Sequence, residues 1–506
     1  MIRHRPQVIR LKEEDNVAVA LETLSPDTLL DGYGVSCREE IPKAHKVSIR
    51  PIPPHEPVRK FSQIIGFASR LIEAGEHVHL HNMEMGDVKR DYEIGRGATK
   101  KAKEKTAYFE GIVRENGRVG TRNYVGILAT VSCSSSVARF IADAFRGPSI
   151  TGYTNVDGVV SFGHGKGCSA VTGGEGLLFL QRVLAGYARH PNLAGVLILG
   201  LGCEVNEVNC LMANMDLAED LSIRALNIQE AGGTRVAVER GVGIVKELLF
   251  QANGIRRSPV PLAHLTVGLE CGGSDAFSGI TANPALGVAV DLLVEHGATA
   301  ILSETPEIYG AEHLLTRRAA KPEVGEKLLR RLRWWENYTR MMGGEINNNP
   351  TPGNKAGGLT TILEKSLGAV AKAGTSNLME VYEYAEPVTS KGLVFMDTPG
   401  NDPVSVAGMV AGGANVLCFT TGRGSVCGFT PVPTLKLASN TDMYQRMAED
   451  MDVNCGTIMD GDASVHEVGE QIFRLILDTA SGKRTQSEHL GFWEGDFVPW
   501  DMGPVL

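Results

Sequence analysis

Residues 265–304, LTVGLECGGSDAFSGITANPALGVAVDLLVEHGATAILSE, run in order through a short apolar stretch, a long loop of small residues, a longer apolar stretch and a second short one. The outer stretches have strand length and the inner one helix length, so the segment reads strand, loop, helix, strand. A strand that returns beside its predecessor through a helix does so by a right-handed crossover, which implies a mostly parallel sheet. The loop is far longer than a turn of about four residues requires. It carries Cys271, the pair Gly272 and Gly273, then Ser274, Asp275 and Ser278. The two glycines permit a sharp turn and close approach of backbone to a ligand, and the polar side chains can bond its hydroxyl groups. Asn283 and Pro284 are expected to open the helix as N-cap and first residue, offering its positive end to a carboxylate.

The same alternation extends to both sides. Upstream, YVGILAT, DGVVSF and GVLILGLG read as strands, with helices at SSVARFIADAF and EGLLFLQRVLAGYA. Downstream, GLVFMD leads to the helix PVSVAGMVAGG and the strand NVLCFT. The N-terminal part differs: VIRL, NVAVAL, KVSIRPI and HVHLH read as short strands, with a helix expected at FSQIIGFASRLI. The expected organisation is a β-rich module over 1–83, a charged linker over 84–107 and two α/β subdomains over 108–345 and 346–506.

At 506 residues the chain can bury several cores, and 43% hydrophobic with 22% charged residues excludes a disordered state as the main one. A net charge of −9 argues against a nucleic-acid binder, which needs clustered Lys and Arg. The N-terminus has no apolar run of signal-peptide type, and the longest one, Leu193–Gly202, is far short of the roughly 20 residues of a membrane span. A soluble cytoplasmic homo-oligomer is expected, without nucleic-acid or membrane partners. The nine cysteines are odd in number and scattered, which favours reduced thiols.

Cys133, Cys168, Cys203 and Cys271 each follow an expected strand closely. In open α/β sheets that is the ligand-binding edge. A lone cysteine is ordinarily a small buried hydrophobe, but four in one topological position suggest metal ligands. Without a CxxC, a structural zinc site is disfavoured. Scattered thiols suit a cluster with one open iron position. His77, His79 and His81 alternate along a strand and can present imidazoles on one face, so His79 and His81 are candidate metal ligands. His45, His79 and His164 are candidate bases, since imidazole titrates near neutrality.

GLECGGSDAFSGITANPALG, SETPEIYGAEHLL, NPTPGNKAGGLTTILEKSLGAVAKAG and TTGRGSVCGFTPVPTLKLASNT together resemble the hydro-lyase family of altronate and galactarate dehydratases, as do GRVGTRN, GHGKGC and GLGCE. The similarity spans essentially the chain. GEHVHLHN is nearer the altronate pattern, whereas Lys166 and Phe61 stand where the family often has Tyr. The resemblance implies an α/β fold with a small N-terminal β-clip domain of the SAF type, followed by two Rossmann-like subdomains. It also implies loss of water from a 2,3-dihydroxy sugar acid, with iron (Fe2+ or a labile iron–sulfur cluster) or Mn2+ as cofactor.

That reaction needs a carboxylate clamp, a base for the C2 proton and help for the departing C3 hydroxide. Arg122, Lys355 and Arg423 lie in glycine-containing loops and are clamp candidates, Lys355 being also a catalytic candidate. Asn123, Gly272, Gly273, Ser274, Asp275 and Asn283 are expected substrate contacts. Two alternatives stand beside this reading: a carbon–sulfur lyase acting on sulfolactate and a non-catalytic sugar-acid-binding protein. A nicotinamide dehydrogenase is disfavoured, because neither GHGKGC nor GRGSVCG fits the dinucleotide turn.

Overall fold

The computed structural model describes residues 6–88, 90–99, 105–217, 220, 222–492 and 496–503. Three units follow one another. The first is built from short antiparallel strands: β1 (Val8–Ile9), β2 (Val17–Ala20), β3 (Lys46–Ser48), β4 (Pro57–Lys60), β5 (Gln63–Ala68), β6 (His77–Val78) and β7 (Met83–Glu84). Two of its sheets have the orders β1-β2-β3-β6 and β4-β5-β7. The helix expected at FSQIIGFASRLI is therefore strand β5. Phe61 and Ser62 both adopt φ of 60°, the conformation of a tight hairpin turn, and the Asp15 carboxylate accepts both of their N–H groups. The sequence lacks the Asn-Gly that announces such a turn, so the apolar spacing beyond it mimics a helix.

The second unit is a four-stranded parallel sheet of β8 (Tyr124–Ala129), β9 (Gly158–Phe162), β10 (Leu193–Gly200) and β11 (Ile223–Asn227), ordered β9-β8-β10-β11. Helices α1 (Ser132–Asp143), α2 (Glu175–Ala188) and α3 (Thr234–Asn253) cover it. The third is a seven-stranded parallel sheet containing β12 (Thr266–Cys271), β13 (Thr299–Leu302), β14 (Leu378–Tyr382), β15 (Gly392–Met396), β16 (Val416–Thr421), β17 (Thr434–Ala438) and β18 (Val453–Asn454). Its order is β14-β15-β13-β12-β16-β17-β18. Its helices include α4 (Ala282–Glu295), α5 (Pro322–Met341), α6 (Pro352–Ala356), α7 (Ile362–Ala371), α8 (Asp402–Ala411) and α9 (Val465–Ala480).

The boundary expected at 345/346 cuts through this sheet, because β12 and β13 pair with strands from beyond it. The change of sheet occurs between α3 and β12. The loop at 343–354 resembles a linker in composition only; it is a connection within one unit. The described part of segment 84–107 is not a free linker either: Arg90 donates to Glu312 at 2.8 Å and Thr99 accepts from Asn377 at 2.7 Å, both on the third unit. One apolar cluster joins Val58, Ile65 and Met83 of the first unit to Leu286 of α4 and Ile472 of α9. A second joins α2 to α8 and so packs the two parallel sheets together. No helix among the described residues is long and apolar enough to cross a membrane.

Candidate active site

All seven strands of the large sheet run parallel, so the loops that follow them gather on one edge. Glu270 and Cys271 end β12, Glu304 and Glu307 follow β13, and Asp402 opens α8 after β15. Glu270, Cys271, Glu304 and Glu307 are buried, and Asp402 is half-buried. Glu304 holds φ of 66°, a left-handed backbone that costs a non-glycine residue about 1 kcal/mol or more. Its amide donates to the Thr398 hydroxyl at 2.8 Å, which fixes the turn. Glu304 Oε2 accepts from Lys372 Nζ at 2.6 Å, and Glu307 Oε1 accepts from Lys365 Nζ at 2.7 Å. The Cys271 thiol lies 3.4 Å from Glu304 Oε2 and 3.5 Å from Glu307 Oε2.

Donor atoms of Cys271, Glu304 and Glu307 lie within 4.8 Å of one another, as do those of Glu270, Glu304 and Asp402. Glu270 Oε1 and Glu304 Oε1 are buried with no donor reaching them. Four carboxyl groups thus face two ammonium groups, and the fully ionised pocket lacks two positive charges. Two protons or one divalent cation would supply them. Without a cation the titration follows that logic. Burial and then Glu304 push Glu270 well above the usual carboxylate range. Burial, with Glu304 and Glu307 nearby, raises Asp402 to about 7. For Glu304 the effect of burial is outweighed, first by Lys372, and its carboxyl is held low. An oxygen-rich donor set with one thiol suits Fe2+ or Mn2+.

Over this pocket runs the glycine loop. A Cβ on Gly272 would sit 2.2 Å from Asp402 Oδ2 and 2.5 Å from Phe419 Cζ, so only glycine fits. Gly273 takes φ of 61° and its carbonyl accepts from the amides of Gly422 and Arg423. Arg423 is exposed at the rim. Asp275, by contrast, is consumed inside the protein: Ser278, Ser439 and Asn440 donate to its carboxylate at 2.8 to 3.0 Å. Ser274 and Asn283 line a cavity of about 10 Å³ with Lys60 and Lys365, room for a single water. A sugar acid would have to meet the outer face of the loop. The helix begins two residues earlier than its Asn-Pro suggests, with Thr281 as N-cap, and Asn283 donates to Gly368 O at 2.9 Å.

The N-terminal unit places imidazoles beside this loop. Ring centroids of His45 and His77, His45 and His79, and His77 and His79 are 5.0, 5.1 and 5.5 Å apart. His79 Nε2 is 3.1 Å from Lys355 O, and His45 Nε2 is 3.3 Å from Ala356 O. Carbonyls accept, so both Nε2 atoms carry the proton and Nδ1 is the basic nitrogen. In His45 that nitrogen is taken up by His77 Nε2 at 2.9 Å. Burial first, then neighbouring cations and imidazoles, lowers His79 to about 4 and His77 to about 3, so both are neutral at pH 7. The 355–357 segment meets the glycine loop directly: Ala276 donates to Gly357 O and Asn354 to Ser274 O. His45, His79, Lys355, Gly272, Gly273 and Arg423 therefore belong to one region.

Other expected residues do not. Arg122 and Asn123 precede β8 and sit at its amino end, away from the binding edge. Arg122 is buried in a bidentate pair with Glu488 at 2.6 and 2.8 Å and also donates to Thr479 O and Lys483 O. Asn123 accepts from Arg114 and donates to Asn155 O and Ala252 O. Both are structural. His164 lies on the second unit, with Nε2 against Ala129 O at 2.9 Å and Nδ1 accepting from Lys166 N at 3.1 Å, so neither nitrogen is available as a base. His81 does not join His79 around one ion; its donor atom converges with Glu39 and Glu76. The four cysteines do follow strands, but of two sheets: Cys133, Cys168 and Cys203 are exposed on the second unit, whereas Cys271 is buried on the third.

Sequence reasoning passed over Glu270, Glu304, Glu307, Lys365, Lys372 and Asp402. Each stands inside or beside a quoted motif, but an acidic or basic letter does not disclose burial. The available signal was the recurrence of acids immediately after strand-like runs, in GLEC and ILSETPE.

Comparison with known proteins covers nearly the entire chain. The family description "Altronate/galactarate dehydratase SAF domain" matches residues 6–86, "D-galactarate dehydratase/Altronate hydrolase, second domain" matches 111–253, and "D-galactarate/Altronate dehydratase, C-terminal" matches 262–505. Altronate dehydratase of Bacillus subtilis (strain 168) is 36% identical over 491 residues, covering 96% of this chain and 97% of its own. Galactarate dehydratase (L-threo-forming) of Escherichia coli (strain K12) is 36% identical over 501 residues, covering 94% and 93%. The (2R)-sulfolactate sulfo-lyase subunit beta of Chromohalobacter salexigens is 32% identical over 394 residues, covering 76% of this chain and 96% of its own.

Proposed function

Because the chain belongs to the altronate/galactarate dehydratase family of hydro-lyases, we propose that it removes water from a 2,3-dihydroxy sugar acid to leave a 2-keto-3-deoxy acid, with an altronate-like aldonate as the first choice of substrate and a galactarate-like aldarate as the second. The observation that carries this reading is the pocket of four carboxyl groups, two ammonium groups and a thiol beneath a loop that only glycine can form.

Arg423, exposed beside Gly273, is the clamp for the substrate carboxylate, and the amides of the loop assist it. His79 is the base. Its Nε2–H is committed to Lys355 O, which leaves Nδ1 to accept the C2 proton, a task worth about 10²-fold or more in rate. The hydroxide leaves C3 toward Lys365 and Lys372, whose positive charge offsets its own. Glu270, Glu304 and Asp402 would hold a divalent cation, Fe2+ or Mn2+. When bound, the cation polarises the substrate carboxylate and acidifies the adjacent C–H.

Incubation of the purified chain with a panel of aldonates and aldarates, followed by assay of 2-keto acid, tests the reaction. Turnover of one or more, unaffected by nicotinamide nucleotides, is expected. Absence of keto acid from every member of the panel, with and without Fe2+ or Mn2+, overturns the reading. The similarity to the sulfo-lyase subunit favours one second reading, elimination of sulfite from sulfolactate by the same proton abstraction. Sulfite release would identify it.

A further inference from the structure

Where the second unit packs on the third there is a cavity of about 400 Å³, at the amino ends of strands from both parallel sheets and so on the edge opposite to the carboxylate pocket. Its residues come just before strands instead of after them. His190 and Pro191 precede β10, His264 precedes β12, Lys391 precedes β15 and Asn415 precedes β16. Contacts between the units fix its walls. A Cβ on Gly186 of α2 would sit 2.4 Å from Ala411 O at the end of α8, so the two helices meet here through backbone. Val388 donates to Gly412 O at 2.9 Å, which ties the loop before β15 to the same helix end. Asn415 Nδ2 donates to Val119 O and His264 O, both at 3.2 Å, and His190 Nε2 donates to Ala414 O at 2.9 Å.

The lining carries the cations Arg118, Arg182, Arg189 and Lys391 and, among the described residues, no acidic side chain. That sign is opposite to the net charge of the chain, −9. Arg182 is paired with Glu383 and Glu386 at 3.4 and 3.5 Å. Among the described residues the other three form no ion pair: Arg118 donates to Arg189 O, Arg189 to Met215 O and Lys391 to Ala263 O. One carbonyl each leaves most N–H groups of a guanidinium or an ammonium without an acceptor. Capping the end of α2 accounts for the Arg118 bond and no more. The positive charges also oppose one another. Burial and then Arg189 lower the pKa of Arg118, with Asp220 acting more weakly in the other sense. Burial lowers Lys391, and burial and then Lys391 lower His264. An anion in the cavity would counter every one of these shifts. The volume is that of a small-molecule pocket, about 300–1,000 Å³, and is far more than one inorganic ion fills.

We propose that this cavity binds a small organic anion with at least two acidic groups, carboxylate or phosphate, held by Arg118 and Arg189 from the second unit and by Lys391 from the third. The site is separate from the carboxylate pocket, and the proposal does not rest on the dehydration reading, since its test needs no turnover.

The purified full chain is titrated in a calorimeter at constant ionic strength with tricarballylate, fructose 1,6-bisphosphate and acetate. Saturable binding of tricarballylate or of the bisphosphate, at least tenfold tighter than of acetate, is expected, and whichever binds identifies the acidic group. Arg189→Gln and Lys391→Gln are each expected to weaken that binding at least tenfold while melting, without ligand, within a few degrees of wild type. Lys391 is exposed and bonds a single carbonyl, so its variant carries the test even if Arg189→Gln fails to fold. Arg423→Gln, at the rim of the carboxylate pocket, should bind as wild type does. No saturable binding of either polyanion, or acetate bound as tightly, overturns the proposal. So does unchanged binding in Lys391→Gln, or binding lost from Arg423→Gln, which would put the anion at the carboxylate pocket.

Discussion

At Gly272 the requirement for glycine comes from space rather than from backbone angle. A methyl group there would overlap Asp402 Oδ2 and the Phe419 ring at 2.2 and 2.5 Å, and neither the helix start nor the packed ring can retreat freely. Gly272→Ala is therefore expected to displace Asp402 and lower kcat/KM at least tenfold, at a stability cost of about 1–3 kcal/mol typical of overpacking. Steady-state kinetics beside a denaturant melt checks both numbers; wild-type kcat/KM in the folded variant would remove Asp402 from the site. His79→Ala makes a different demand. Its imidazole is the acceptor of the C2 proton, so kcat should fall by about 10²-fold with KM little changed. An equal fall in both parameters, or a purely KM effect, would place His79 in binding instead. The imidazoles and glycines of this site were legible because their residue types are uncommon and chemically specific. The buried acids and lysines were not, because Glu304 and Lys372 read as surface charges until the fold brings them to 2.6 Å from each other.

Strands and their direction explain which loops came together. A parallel strand has a functional end and a structural end, and a motif is informative only once its end is known. GTRN holds an arginine in a glycine-containing loop, as TTGRGS does, yet it precedes its strand instead of following it. Arg122 consequently forms a buried bidentate pair with Glu488 and binds three backbone carbonyls, whereas Arg423 stays exposed beside the glycine loop. Arg122→Lys cannot reproduce the fork. It is expected to lose about 3 kcal/mol of stability, the usual cost of damaging a buried pair, while kcat per folded molecule stays within twofold of wild type. A urea melt and active-site-normalised kinetics at low denaturant test the pair of statements. The alternation of strand and helix was visible from the apolar runs, which mark seven of the parallel strands; β11, β14, β17 and β18, whose runs are shorter or interrupted by polar residues, were not anticipated. The domain boundary was misjudged because β12 pairs with β16, about 150 residues further on, and local spacing carries no record of such a partner; β5 was misjudged for a local reason, the turn at Phe61 and Ser62 whose residues do not announce a hairpin.

The first unit is fastened to the third by a buried charge cluster as well as by apolar packing. Lys46 and Lys60, from β3 and β4, both donate to the Glu364 carboxylate of α7 at 2.9 Å, and Thr360 Oγ1 donates to it at 2.7 Å. All three charged groups are buried, and the imidazoles of His45 and His79 both feel the charges of Lys46 and Glu364. Burial alone would raise the Glu364 carboxyl; the two lysines, Lys46 first, outweigh it and hold the group far below its ordinary value of 4.5. The unfolded chain therefore binds a proton near pH 4.5 that the folded chain refuses. Stability from this contact is complete above that pH and is lost as the pH falls toward the folded value, at about 1.4 kcal/mol per pH unit for one proton. Glu364→Gln leaves two buried ammonium groups facing a neutral amide, and about 3–5 kcal/mol of stability should disappear at pH 7. The same substitution should flatten the acid limb of the stability curve by that one proton, so wild type and variant converge below pH 4.5. Melts between pH 3 and pH 7 measure both effects. Because the histidines stand on the N-terminal side of this junction and the carboxylate pocket on the other, the variant is also expected to lose activity before it unfolds. Activity that persisted up to the unfolding transition would mean that the imidazoles are not needed at the pocket.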